Sequence, residues 1–172
     1  MAVREILLIP DKRLKQKCEP VTNLAEIDKK LIDDMFETMY DAQGIGLAAP
    51  QIGVMQRIII MDCVKEEGDI SEPIAMINPE IIRLSKELRV YEEGCLSIPE
   101  FLEDVTRPEN ISVRYLSIDN EVIEREADGL LATCIQHEVD HLDGRLFIDY
   151  ISRLKRERVT KKFTKWAKRR EG

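Results

Sequence analysis

Residues 128–144 read DGLLATCIQHEVDHLDG. Leu130, Leu131, Cys134, Ile135, Val139 and Leu142 form a broad apolar surface at helical spacing, which predicts a largely buried helix that Gly144 ends. Set into it are the chain's only two histidines, His137 and His141. A helix turns once in about 3.6 residues, so four-residue spacing stacks both imidazoles on one face. A helix of this kind must be enclosed by other elements, and the flanking segments supply them.

Upstream, residues 23–40 carry Leu24, Ile27, Leu31, Met35 and Met39 at helical spacing, with Asn23 and Glu26 as a capping box and Gly44 as the stop. QRIIIMDCV (56–64) is short and β-branched, the pattern of a buried strand. IAMINPEIIRLS, ELRVYEEGCLSIPE and ISVRYLSIDNEVIERE add further strands, with Asp119-Asn120 as a hairpin turn. Downstream, residues 153–172 form a basic helix with Val159, Phe163 and Trp166 at helical spacing. The expected class is α+β: antiparallel strands packed around the buried HEVDH helix, with an N-terminal helix and a basic C-terminal helix. Residues 1–152 are expected to be a single catalytic domain and 153–172 a basic helix or tail.

The 172 residues suffice for one core without disulfides. No apolar run approaches a membrane span, and the N-terminal MAVREILLIPDKRL lacks the pattern of a signal peptide, so the cytoplasm is the expected location. Cys18, Cys63, Cys95 and Cys134 are widely spaced, which favours reduced thiols. The net charge is −7, yet residues 153–172 hold ten Lys/Arg against Glu157 and Glu171, a balance of +8 that leaves −15 on the rest. That asymmetry points to an anionic partner for the tail alone. Its apolar stripe can equally pack on the chain's own domain.

His137, Glu138 and His141 make the pattern H-E-x-x-H, in which two imidazoles share one metal ion and the glutamate reaches a water beside it. The competing interpretation is a pair of polar residues on an exposed helix face. A catalytic site takes about three protein ligands and keeps one position open. The third must be Cys, Asp or Glu, and Cys95, in EEGCLS beside Gly94, is the best candidate. Cys134 is its rival and would make a Cys2His2 structural zinc. However, a metal held by His137 and His141 sits about 7.5 Å along the axis from Cys134, while a cysteine reaches only about 5 Å from Cα to metal. An open site lowers the pKa of a water, and Glu138 accepts the proton and can pass it to a leaving nitrogen. The developing oxyanion needs donors. GIGLAAPQIG (44–53) brings backbone close to a ligand and offers the Gln51 amide. Phosphate binding by this loop lacks the glycine pattern and lysine it would need, and a plain helix stop followed by a turn is the other alternative.

GIGLAAPQ (44–51), EGCLS (93–97) and QHEVDH (136–141), in this order and spacing, resemble the peptide deformylase family. IPDKRL, DDMFETMY and HLDGRLFIDYIS also look like its bacterial members, so the resemblance covers essentially the whole chain. It implies removal of the formyl group from the N-terminal formylmethionine of nascent polypeptides, releasing formate. It further implies Cys95, His137 and His141 as metal ligands, Glu138 as general acid/base, and Gln51 with the backbone N–H of Leu96 on the formyl oxygen. Ile45, Leu130 and Cys134 would enclose the methionine side chain with Glu93 close by, while the backbone around Ile45, Gly46 and Gly94 pairs with the peptide. Family members use Fe²⁺ in the cell and accept Zn²⁺, Ni²⁺ or Co²⁺. Some dock a basic C-terminal helix on the ribosome; a membrane surface is the weaker alternative, and sequence-specific nucleic-acid binding is not expected. Where some relatives carry a peptide-binding Arg after EGCLSIPE, this chain has Phe101-Leu102-Glu103, and Thr133 replaces an apolar residue at the pocket edge. The rivals are an H-E-x-x-H zinc peptidase, against which EGCLS speaks, and a structural-zinc protein, which needs a fourth protein ligand.

Overall fold

The computed structural model describes residues 2–23, 28–64 and 66–171. Helix α1 spans Lys29–Asp41 and is followed by strands β1 (Gly46–Ala48), β2 (Ile58–Met61), β3 (Ile74–Leu84), β4 (Leu88–Cys95), β5 (Ile98–Pro108), β6 (Asn110–Leu116) and β7 (Val122–Asp128). Helix α2 (Gly129–Leu142) and helix α3 (Arg153–Glu171) complete the chain. Five strands form one antiparallel sheet in the order β1-β2-β3-β6-β7, and β4 and β5 form a separate hairpin. The α+β class expected from the sequence is the class observed.

Strand alternation explains why β2 reads as an unbroken apolar run. Its side chains point alternately to the two faces of the sheet. Ile59 and Met61 join the core beneath α2, together with Ile135, Val139 and Leu142. Ile58 and Ile60 join a second core beneath α1, with Leu31, Ile32, Met35 and Met39. Both faces are therefore covered at this strand. A third core gathers Ile98 and Val105 of β5 with Leu146, Phe147, Val159 and Phe163.

Two helix boundaries differ from the sequence expectation. Helix α1 starts at Lys29, capped by Asp28, whose carboxylate accepts from the Leu31 amide at 3.2 Å. Asn23 precedes it outside any helix, and Leu24, Glu26 and Ile27 lie outside the described residues. An aspartate with its own side-chain bond to the third helical residue is the stronger start. At the other end the left-handed residue is Gln43, with φ 58°, and not Gly44. The Gln43 amide bonds to Tyr40 O and the Gly44 amide to Met39 O, both at 3.0 Å, which satisfies two final carbonyls of the helix. The Asp119-Asn120 turn is present, with Asn120 left-handed at φ 67°.

The stripe on α3 divides. Val159 and Phe163 are buried against the body, whereas Trp166 is 43 % exposed and stands edge-on to Phe163. The last helix is thus attached through its own apolar face. Phe163→Ala is expected to lower stability by about 3 kcal/mol, the low end for truncating a buried Phe, read as a lower urea midpoint. Lys161→Ala, on an exposed position of the same helix, should leave the midpoint nearly unchanged.

Candidate metal centre

Two elements bring the candidate ligands together. Helix α2 supplies His137 and His141, 7 % and 1 % exposed, with ring centroids 5.1 Å apart. The end of β4 supplies Cys95, whose Sγ lies 3.4 Å from His141 Nε2. One ligand atom from each of Cys95, His137 and His141 falls within 4.8 Å of the others, a spacing that one ion could bridge. Cys134 is not in that group; it lies in the wall of the adjoining cavity.

Cys95 reaches this point because the β4–β5 hairpin is irregular. Glu93 pairs with Glu103 but Cys95 pairs with Ile98, so residues 99–102 bulge opposite Gly94. Leu102 folds over Gly94 closely enough that a Cβ there would lie 2.7 Å from its Cδ2. Leu96 and Ser97 form the tight turn between the two strands.

His137 is oriented from behind. Its Nδ1 lies 3.0 Å from Glu93 Oε1, which turns Nε2 toward the cluster. Glu93 is gripped in turn by Arg107, whose Nε donates to Oε2 at 2.7 Å and Nη2 to Oε1 at 3.0 Å. Arg107 Nη1 donates to Asp140 at 2.8 Å, and the Tyr150 hydroxyl donates to the same carboxylate oxygen at 2.9 Å. Burial pushes Glu93 up, but the hydrogen bonds from His137 and Arg107 outweigh it and hold its carboxyl below the usual range. Glu93 borders the cavity, as the resemblance implied, and both of its carboxylate oxygens are engaged by Arg107 and His137.

The electrostatics favour a cation at the cluster. Burial alone would push His137 down, but Glu138, Cys95 and Glu93 together outweigh it and raise it. Burial keeps His141 neutral by pushing it well down, and the neutral imidazole is the form that ligates metal. Glu138 is 4 % exposed, and burial pushes its carboxyl up to about 7. Its Oε1 has no hydrogen-bond partner among the described residues. Gly46 makes room for it: a Cβ at that position would collide with Glu138 Oε2 and come within 2.8 Å of Cys134 Sγ.

Gln51 closes the other side. Its Oε1 accepts from the Ala48 amide at 2.9 Å, and its Nε2 donates to Ser97 Oγ at 3.0 Å and faces Cys95 Sγ at 3.5 Å. The side-chain amide therefore presents its N–H end to the cluster. A cavity of about 530 Å³ borders Cys95, His137, Glu138 and Gln51 and is walled by Ile45, Gly46, Glu93, Gly94, Leu96, Leu130 and Cys134. Every site residue expected from the sequence borders it except His141. Arg107, Asp140, Tyr150 and Ser97 were not expected. The one available signal was strand alternation, which places Arg107 on the same inward face as Val105.

Comparison with known proteins agrees along the whole chain. Residues 3–157 match the family described as Polypeptide deformylase. A peptide deformylase of Afipia carboxidovorans is 59% identical over 168 residues, covering 98% of each chain. The crystal structure of peptide deformylase from Ehrlichia chaffeensis in complex with actinonin superposes with a TM-score of 0.90 at 43% identity, over 96% of this chain and 98% of that one. One from Legionella pneumophila gives 0.87 at 43% identity, over 99% and 98%. The chain belongs to the peptide deformylase family.

Cys95→Ser is expected to lose metal on dialysis far more readily than Cys134→Ser, because only Cys95 has its sulfur among the clustered donors. Metal analysis after dialysis reads the difference. Loss from the Cys134 variant alone would give the third ligand to Cys134.

Proposed function

We propose that the cavity removes the formyl group from the N-terminal formylmethionine of nascent polypeptides, releasing formate and a free amine. The observation that carries this reading is the convergence of a Cys/His/His donor set, a buried carboxylate with an unpartnered oxygen, and an oriented amide N–H on one cavity. The donor set fits a divalent ion: a thiolate and two imidazoles, gathered where neighbouring acidic groups favour positive charge. Cys95, His137 and His141 would hold that ion, Fe²⁺ in the cell by family resemblance, with Zn²⁺, Ni²⁺ or Co²⁺ able to replace it. When bound, it supplies the Lewis acidity that activates water and polarises the formyl carbonyl.

This chain's own residues do the rest. Glu138, with its carboxyl near neutrality, takes a proton from the attacking water on Oε1 and returns it to the departing nitrogen. Gln51 Nε2 and the Leu96 backbone N–H hold the formyl oxygen as it gains charge. Glu93 and Arg107 keep the His137 ring fixed throughout. Ile45, Leu130 and Cys134 receive the methionine side chain. The backbones at Gly46 and Gly94 flank the peptide, since β1 ends its sheet and β4 pairs only with β5, leaving each strand an edge. An H-E-x-x-H peptidase and a structural-zinc protein are the less favoured readings, because the donor cluster contains a cysteine and only three groups among the described residues.

Residues 1–152 act as the catalytic domain and 153–172 as an accessory helix, in the cytoplasm where nascent chains emerge. No described helix is long and apolar enough to cross a membrane. The exposed face of α3, including Lys162, Lys165 and Lys168, suits an anionic surface such as ribosomal RNA.

Glu138→Gln should bind metal normally yet release formate from a formyl-Met peptide at least about 10²-fold more slowly. Near wild-type formate release at full metal occupancy would remove Glu138 from the proton transfer. For the helix, charge removal is more informative than truncation, since Phe163 anchors the fold. Lys162→Gln/Lys165→Gln/Lys168→Gln should leave peptide hydrolysis unchanged while reducing co-sedimentation with ribosomes, and the intact protein's co-sedimentation should weaken as salt rises.

A further inference from the structure

Beside the candidate metal centre lie two further thiols, Cys63 and Cys134, that take no part in the proposed proton transfer or metal binding. Ile59 and Met61 of β2 point to the α2 face, so alternation places Cys63, two residues beyond Met61, on the same face. Cys63 indeed packs against the core that contains Cys134. The β1–β2 pairing continues past its last ladder pair: Gly46 faces Met61, and the Asp62 amide donates to the Ile45 carbonyl at 2.9 Å. Cys134 Sγ lies 3.8 Å from that same carbonyl, admitted by the missing side chain at Gly46. Both side chains thus face the layer between β2 and α2, where each thiol perturbs the ionisation of the other. Cys134 is buried and lines the cavity, as does Val64 beside Cys63, and Cys63 itself is partly exposed.

We propose that Cys63 and Cys134 form a redox-active dithiol site, with Cys134 in the cavity wall, which a low-molecular-weight disulfide converts to an intramolecular disulfide. The Cys63 thiolate attacks one sulfur of the small disulfide, whose S–S bond breaks and releases one small thiolate. Cys134 then gives up its proton and attacks the Cys63 sulfur of the mixed disulfide, expelling the second small thiolate. The protein pair loses two electrons, the small disulfide gains them, and the two protein protons end on two small thiols.

The division of labour arises from the surroundings. The neighbouring Cys134 thiol holds the Cys63 thiol below its ordinary range despite burial, while the Cys63 thiol and burial push Cys134 well up. The acidic, accessible thiol attacks and the buried one resolves. Cys18 is excluded from this chemistry, 1 % exposed and pushed up to about 11 by burial. A disulfide sulfur sits only about 2.05 Å from its partner, so closure displaces Cys134 Sγ and reshapes the wall it forms. Disulfide formation itself is independent of the reaction assigned above; its effect on turnover rests on Ile45, Leu130 and Cys134 holding the methionine side chain.

The test treats the zinc-loaded full-length protein with oxidised glutathione, alkylates the remaining thiols and maps peptides without reduction. The expected result is a cross-linked peptide pair joining Cys63 to Cys134. KM for a formyl-Met peptide should rise about tenfold, the size of a one-methylene misfit in an apolar pocket, and dithiothreitol should reverse it. Cys63→Ser should keep the untreated activity and show neither cross-link nor KM change. A glutathione adduct that remains on Cys63, or a cross-link that takes in Cys95, would overturn the proposal, and a Cys63–Cys134 cross-link with unchanged KM would overturn its effect on the pocket. Absence of formyl-Met hydrolysis before oxidation would count against the assigned reaction alone, because the peptide map still decides whether the dithiol closes.

Discussion

The Arg107 guanidinium is 4 % exposed at its side chain and is held between two carboxylates, Glu93 on β4 and Asp140 on α2. Removing a guanidinium from water is costly, and the attraction to its partners offsets that cost only where the geometry is good and the remaining donors are filled. Here the contact with Glu93 is two-pronged, the third donor goes to Asp140, and the Tyr150 ring lies 4.6 Å beneath the cation. A buried charge left without its partner costs about 3–5 kcal/mol, so these groups are kept or lost together. The consequence for the site is geometric. The β4–β5 hairpin and α2 belong to separate layers, and this network fixes one against the other, so that Cys95 and the two histidines meet at one point.

A second constraint works on the opposite wall. Helix α2 approaches the sheet at β1 so closely that Glu138 and Cys134 occupy the space that a Cβ at position 46 would need. That closeness buries Glu138, and burial is what raises its carboxyl to about 7. A carboxyl poised there can hold or release a proton near neutral pH, which an exposed glutamate does poorly. In the proposed reaction the second glycine of GIGLAAPQ, Gly46, thus bears on the proton chemistry, although it carries no side chain.

Much of this was legible in the chain. The buried α2, its paired imidazoles and the sheet-forming middle all come from periodicity, since each is repeated over several residues. Cys95 was legible because no third histidine exists and Cys134 lies out of reach. The features that could not be read turned on single contacts between distant segments. Asp28 outcompetes Asn23 as a cap through one side-chain bond, and Gln43 takes the left-handed position that Gly44 invited. Arg107 resembles any other charge in an acidic, charge-rich strand until the fold sets it between Glu93 and Asp140. The role of Glu93 is hidden for the same reason, because EEG offers two adjacent carboxylates and only the pleat decides which one faces inward. For α3, composition showed the charge and the stripe, but whether Val159 and Phe163 met a partner or their own domain depended on the position of Leu14, Leu146 and Phe147.

The two sheets also bear on selectivity. If the peptide lies between β1 and β4 as proposed, most of its contacts beyond the first residue are main-chain hydrogen bonds, which are indifferent to side-chain identity. Discrimination then rests on the first side chain, which enters the cavity walled by Ile45, Leu130 and Cys134, and on the group that must reach the donor cluster. Where an arginine would grip the peptide further along, the chain has Phe101 and Leu102, and Leu102 is instead spent in covering Gly94. Such an arrangement is strict about the amino terminus and permissive about the later residues of the peptide. That is the selectivity required of an enzyme whose substrates share only their first residue.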